Sequence, residues 1–220
     1  MTDDAPRVPQ FRDLVIPGGQ SKLNELADAV EQRLQPPWSR DREAESSPNL
    51  NLGGAEYRVF KRDDTASGPG LLLFLIAQAN DIEVANVVPT GERNELTKQE
   101  YNDAIVQFSS GFLADSAQAL GLVVSLSPSE LNMQDVLDET TYQALLAFSR
   151  ASNRSTGSSH PLDREKWFKF IVGVYRNGSD VSSSDLERWL VLDGWSEDVA
   201  WDLLIQFEFA MQLLRYVDSR

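Results

Sequence analysis

Cysteine is missing from the 220-residue chain, and histidine occurs once, at His160. Without thiols there is no disulfide, thiolate zinc site or cysteine nucleophile, and a lone imidazole leaves only carboxylate-based metal sites. Nor does any apolar run approach the roughly 20 residues needed to cross a bilayer. The opening MTDDAPRVPQFRDL carries two early acids and no signal-peptide core, so the expectation is a cytoplasmic protein without membrane contact. The patterns G-x-x-x-x-G-K-[ST], G-x-G-x-x-G, G-x-S-x-G, H-E-x-x-H and the EF-hand loop do not occur. A phosphate cradle, dinucleotide fold, serine elbow, zincin or calcium loop is therefore unsupported, and no cofactor or metal is expected. Carboxylates are plentiful, but no pair stands in an apolar setting that would split their pKa values into acid and base roles. Basic residues are few, 20 against 34 acids, for a net charge of −14. Such a field repels nucleic acid and anionic membrane and attracts a basic partner, although an acidic composition also serves plain solubility.

What is present is apolar surface, 41% of the residues, which is enough for a real core. The longest uninterrupted helical pattern is 196–217, SEDVAWDLLIQFEFAMQLLRYV. Ser196 can cap it, and Glu197 and Asp198 suit the positive end of its dipole. At 100° per residue Ala200, Leu203, Leu204, Phe207, Ala210, Met211, Leu214 and Val217 share one broad face. The opposite side mixes Trp201, Ile205, Phe209 and Tyr216 with Asp198, Asp202, Glu208, Gln212 and Arg215. A helix apolar nearly all round is covered on both sides, by its own domain or by a partner. Trp167, Trp189, Trp195 and Trp201 lie close together in the helical region. Core packing is the default for them, and an interface anchored by Trp and Tyr the alternative.

In chain order, 1–20 holds Pro6, Pro9 and Pro17 without periodicity and reads as a mobile arm. Ser21 caps a helix to about Gln35 that Pro36 and Pro37 stop. The stretch 38–54 is polar and rich in breakers, a linker or long loop. A strand at 56–61, a continuously apolar central strand at 71–77 and a third at 82–88 form an antiparallel meander. Thr97 and Glu100 make a capping box with Leu96 and Tyr101 as staple, opening a helix that Gly121 ends. A fourth strand follows at 122–126. Ser127 and Glu130 then form a second capping box with Pro128 at the first helical position. Helices over 139–151, 161–176 and 182–193 precede the last one. Gly194 closes the third in a Schellman ending, with Trp195 packing back on Leu190. The expected fold is α+β: a small, mainly antiparallel sheet with a covering helix, followed by a C-terminal helical bundle. Its parts are an arm over 1–20, an α+β part over 21–126 and a helical part over 127–220, the last two sharing one core.

One loop stands out, 153–164, NRSTGSSHPLDR. Its hydroxyls, Arg154 and Arg164 feed a helix N-terminus, where unpaired amides bind anions. Arg154, Ser158, Ser159 and Arg164 are the candidate anion ligands. The same residues also read as an ordinary cap, with His160 or Ser159 as N-cap, Pro161 in the first turn and Asp163 satisfying an amide. Arg154 and His160, five residues apart, resemble the R-x4-6-H element of the HEPN ribonucleases. The resemblance covers seven residues and implies that His160 moves a 2′-hydroxyl proton while Arg154 holds the scissile phosphate. The strand layer and the acidic surface depart from that family.

Two functional classes follow. The first is a non-catalytic acidic protein-binding module, such as an antitoxin or immunity-type inhibitor of a basic partner in a bacterial cytoplasm, that binds no nucleic acid directly and grips through Trp201, Ile205, Phe209 and Tyr216. The second is a phosphate-ligand or RNA-acting enzyme that uses Arg154 and His160. A homodimer through the last helix is the third arrangement the pattern allows.

Overall fold

The computed structural model describes residues 6–47, 55–65 and 68–220. In chain order the elements are β1 (Arg7–Pro9), β2 (Leu14–Pro17), α1 (Gln20–Glu31), β3 (Trp38–Arg40), α2 (Arg42–Glu45), β4 (Tyr57–Arg62), β5 (Leu71–Ala77) and β6 (Asp81–Pro89). Then come α3 (Lys98–Phe108), a π-helical turn (Ser109–Leu113), α4 (Ala114–Ala119), β7 (Ser125–Leu126), β8 (Glu130–Asn132) and α5 (Met133–Val136). The chain finishes with α6 (Glu139–Ala151), α7 (Pro161–Asn177), α8 (Ser183–Leu192) and α9 (Glu197–Asp218). The architecture is α+β, as the periodicities predict. The chain divides into two compact units, residues 10–129 and the N-terminal strand β1 with 130–220.

The first unit is a six-stranded antiparallel sheet in the order β3-β4-β5-β6-β2-β7. The apolar run of β5 lies between β4 and β6, and Leu71, Leu73, Leu75 and Ile76 are buried, as a central strand covered on both faces requires. The face carrying Leu71, Leu73 and Leu75 shares one buried cluster with α1, through Leu23, Leu26, Ala27 and Val30, and with α3, through Ala104, Ile105 and Phe108. The Thr97–Glu100 capping box closes in both directions. Arg93 bonds the Glu100 carboxylate first and the Thr97 amide and hydroxyl follow, which holds its pKa down at about 2. The expected single helix from Thr97 to Gly121 is broken by the π-turn at Ser109-Ser110-Gly111. Ser110 there donates its hydroxyl to the Val106 carbonyl, and such back-bonding bends helices.

Four other expectations are corrected. The arm over 1–20 is strand-forming where it is described: β1 pairs with β8, and β2 sits between β6 and β7 with Leu14 and Ile16 fully buried. Runs of three and four residues are too short to show a period. The stretch 38–54 is a loop neither at Trp38, whose indole is buried in β3, nor at α2; 48–54 lies outside the described residues. The helix after Pro17 starts at Gln20 with Gly19 as N-cap at φ 61°, so Ser21 is no cap, and it ends at Glu31 rather than Gln35. The second capping box does not form: Glu130 is in β8, Asn132 caps the short α5, and the Ser127 hydroxyl accepts from the Asp13 amide instead.

The second unit is helical, and its core holds Trp167, Trp189, Trp195, Phe148 and Phe170. The residues of the first unit form a separate buried cluster, so each unit has its own core where the sequence suggested a shared one. Residue types explain the tight α6–α7 pair. Gly173 faces Thr141, and a Cβ built on it would lie 2.6 Å from the Thr141 hydroxyl; only glycine lets the backbones approach this closely.

Candidate functional site

The corner between α8 and α9 sets how the last helix is presented. Gly194 takes φ 96°, and the Trp195 amide donates back to the Leu190 carbonyl at 3.0 Å, the long bond of a Schellman ending. The Trp195 indole lies flat on Phe148, with centroids 5.2 Å apart, and donates from Nε1 to Ser149 Oγ at 2.7 Å. Arg154 closes the outside of this corner. It donates to the Asp193 carbonyl, pairs with the Asp193 carboxylate at 3.1 Å and lies over the Trp195 ring. Ser196 then caps α9 by accepting from the Val199 amide.

On α9, Ala200, Leu203, Leu204, Phe207 and Met211 are buried, with Phe207 stacked on Phe170 at 6.0 Å. Near the C-terminal end the Tyr175 hydroxyl reaches the Leu214 carbonyl and, at 2.7 Å, the Asp218 carboxylate, and that carboxylate raises its pKa. The other side of the helix is open. Trp201 is 54% exposed, Ile205 50% and Phe209 67%, and Tyr216 is exposed with them. Two neighbours belong to the same surface: Leu213, not singled out from the sequence, and Val217, placed there on the buried face, are 50% and 58% exposed. The row 205-209-213-217 at steps of four could have revealed both. Of the four clustered tryptophans, Trp167, Trp189 and Trp195 are core and Trp201 alone is exposed. Contiguous aromatic surface on a well-anchored helix is characteristic of protein contact sites.

The loop 153–164 is differently occupied. His160 is the N-cap of α7, its Nδ1 accepting from the Leu162 amide at 3.3 Å. Arg164 donates to the carbonyls of Ser158 and Ser159. The Ser158 hydroxyl donates to Gln206 Oε1, and the Ser159 hydroxyl to the Thr156 carbonyl. Asp163 brings its own negative charge to the helix end. Lys166 chiefly, with the Asn153 amide, holds that carboxyl below its usual range. A cleft of about 780 Å³ beside this end is lined by His160, Ser159, Asp163 and Lys166. Arg154 does not line it, being turned to Asp193. The pair Arg154 and His160 thus faces two different sets of partners. If His160 acts as a cap, His160→Ala costs about 1 kcal/mol of stability, whereas His160→Asn restores most of it; thermal unfolding of the two variants decides, and equal losses would count against the cap.

Among the described residues no group of three or more His, Asp or Glu side chains could hold a metal ion, and no helix is long and apolar enough to cross a membrane. Comparison of the chain with protein-family models, with curated proteins and with solved structures finds no match.

Proposed function

We propose that the protein is a non-catalytic protein-binding module whose working surface is the exposed face of α9. The observation that carries this reading is the row Trp201, Ile205, Phe209 and Tyr216, solvent-exposed on a 22-residue helix whose other face is buried. Large rigid side chains of this kind contribute most of the energy of protein contacts. The net charge of −14 steers basic polypeptides towards the molecule and disfavours nucleic acid. An inhibitor of a basic enzyme, in the manner of an antitoxin or immunity protein acting in a bacterial cytoplasm, is the class of role that combines these features.

The test is retention of polypeptides from the source cell on the immobilised chain, compared with Trp201→Ala and Phe209→Ala. Retained partners should be basic, should elute as salt rises, and should bind each variant roughly 30-fold more weakly. Circular dichroism checks that the variants keep their helices. Equal retention by wild type and both variants removes α9 as the site. Loss on His160→Ala alone points instead to the phosphate-ligand or RNA-acting enzyme.

A further inference from the structure

The exposed strip of α9 is symmetric about Phe209. At 100° per residue, offsets of four, seven and eleven residues from Phe209 all fall within about 40° of it. Four residues away stand Ile205 and Leu213, both half exposed. Seven away stand Asp202 and Tyr216, and eleven before it Asp198, all three exposed; Arg220 follows just past the end of α9 and is exposed too. Each pair joins chemical complements: aliphatic with aliphatic, carboxylate with phenol, carboxylate with guanidinium. Trp201 and Val217, eight away on either side, flank the strip and are also exposed. Arg220 lies over the Tyr216 ring, 4.7 Å from its centroid, so the positive charge is held at that end of the strip.

We infer that the occupant of this face is a second copy of the chain, docked antiparallel about a two-fold axis through Phe209. The inference rests on the reading of α9 as a docking surface. In an isologous contact residue 209 + k meets residue 209 − k. Ile205 then packs on the partner's Leu213, Phe209 on its own mate, Asp202 faces the partner's Tyr216, and Asp198 lies towards the helix end that carries the partner's Arg220. A parallel arrangement would instead set Asp198 and Asp202 against their own copies, like charge on like. Two chains of −14 repel at long range, but beyond about 8 Å physiological salt screens this, which leaves the local match to decide. A basic partner would compete with the second copy for the same strip.

The absence of cysteine makes the register directly testable on the full chain. Light scattering over a concentration series should show a dimer, and Phe209→Glu should weaken self-association roughly 30-fold or more. Val123→Glu, at a side chain exposed in the other unit, should leave it unchanged. Under mild oxidation Phe209→Cys should cross-link to itself. Asp202→Cys alone should not, since its two copies would sit about 21 Å apart, but mixed with Tyr216→Cys it should. A monomer at all concentrations, a dimer indifferent to Phe209→Glu, or cross-linking of Asp202→Cys with itself overturns the inference. If the chain is monomeric and Phe209→Glu still abolishes polypeptide retention, the docking-face reading survives without it. If that variant changes neither, both fall.

Discussion

Trp167→Ala is expected to lower the free energy of unfolding by about 3–5 kcal/mol, the range for emptying a large aromatic site in a core. Trp167 is fully buried between Phe148, at 4.8 Å, and Phe170, at 5.1 Å. Phe148 in turn carries Trp195, the ring on which the α8–α9 corner rests, and Phe170 carries Phe207 of α9. Emptying this site therefore loosens both supports of α9. Trp167→Phe is the informative control. The indole Nε1 has no hydrogen-bond partner among the described residues, and burying an unpartnered N–H is itself costly. Losing it offsets part of the lost volume, so this substitution should cost less than about 1.5 kcal/mol. Urea titration followed by circular dichroism measures both. At a slope of about 2–3 kcal/mol per molar the alanine variant's midpoint should fall by more than 1 M. A drop below about 1 kcal/mol would show that the aromatic stack does not hold this unit together.

Arg40→Ala is expected to destabilise the sheet unit by about 3–5 kcal/mol, the penalty for stripping one partner from a buried ion pair. The Arg40 side chain is only 4% exposed and Glu45 12%. Arg40 binds Glu45 with two nitrogens, at 2.8 and 3.1 Å, and reaches Asp28 at 2.6 Å and Glu31 at 3.1 Å. Burial by itself would lower the guanidinium pKa, but the hydrogen bonds that Arg40 donates to Glu45 and Asp28 outweigh it and raise it. Glu45 also accepts from the Val59 amide of β4 at 3.1 Å, so this pair fastens the edge strand β3 and α2 to the sheet. Without Arg40, the Glu45 carboxylate is left largely buried without its cation. Arg40→Ala combined with Glu45→Ala should cost less than Arg40→Ala alone. Urea denaturation of the single and double variants tests this, and a double variant no more stable than Arg40→Ala alone would show that lost packing, not the stranded charge, is responsible.

These two sites differ in how far the sequence announced them. The aromatic density between Trp167 and Trp201 marked a core in advance, because apolar periodicity is carried by neighbours three and four residues apart. Arg40 gave no such signal. It lies in a polar, breaker-rich stretch that reads as a loop, and its partners Asp28 and Glu31 come from a different element. The candidate face was half legible. Trp201, Ile205, Phe209 and Tyr216 could be named from the wheel, but a wheel with apolar residues on every side cannot say which side a domain covers. Leu213 and Val217 were accordingly missed or misplaced. In the loop 153–164 residue types alone allowed both a cap and an anion site. Where Arg154 turns was not legible there, because its partner Asp193 lies 39 residues away.

Local chemistry determined the helix ends and the central strand: the Thr97–Glu100 box, the Ser196 cap, the turn at Gly194 and the apolar run of β5. Each of these acts within a few residues, so the sequence carries it whole. Tertiary structure alone decided that 7–9 and 14–17 pair as strands, that Trp38 and Arg40 form a sheet edge, that the core divides in two, and which face of α9 stays open. Strand partners and buried faces are set by groups tens of residues apart, whose meeting no local pattern encodes.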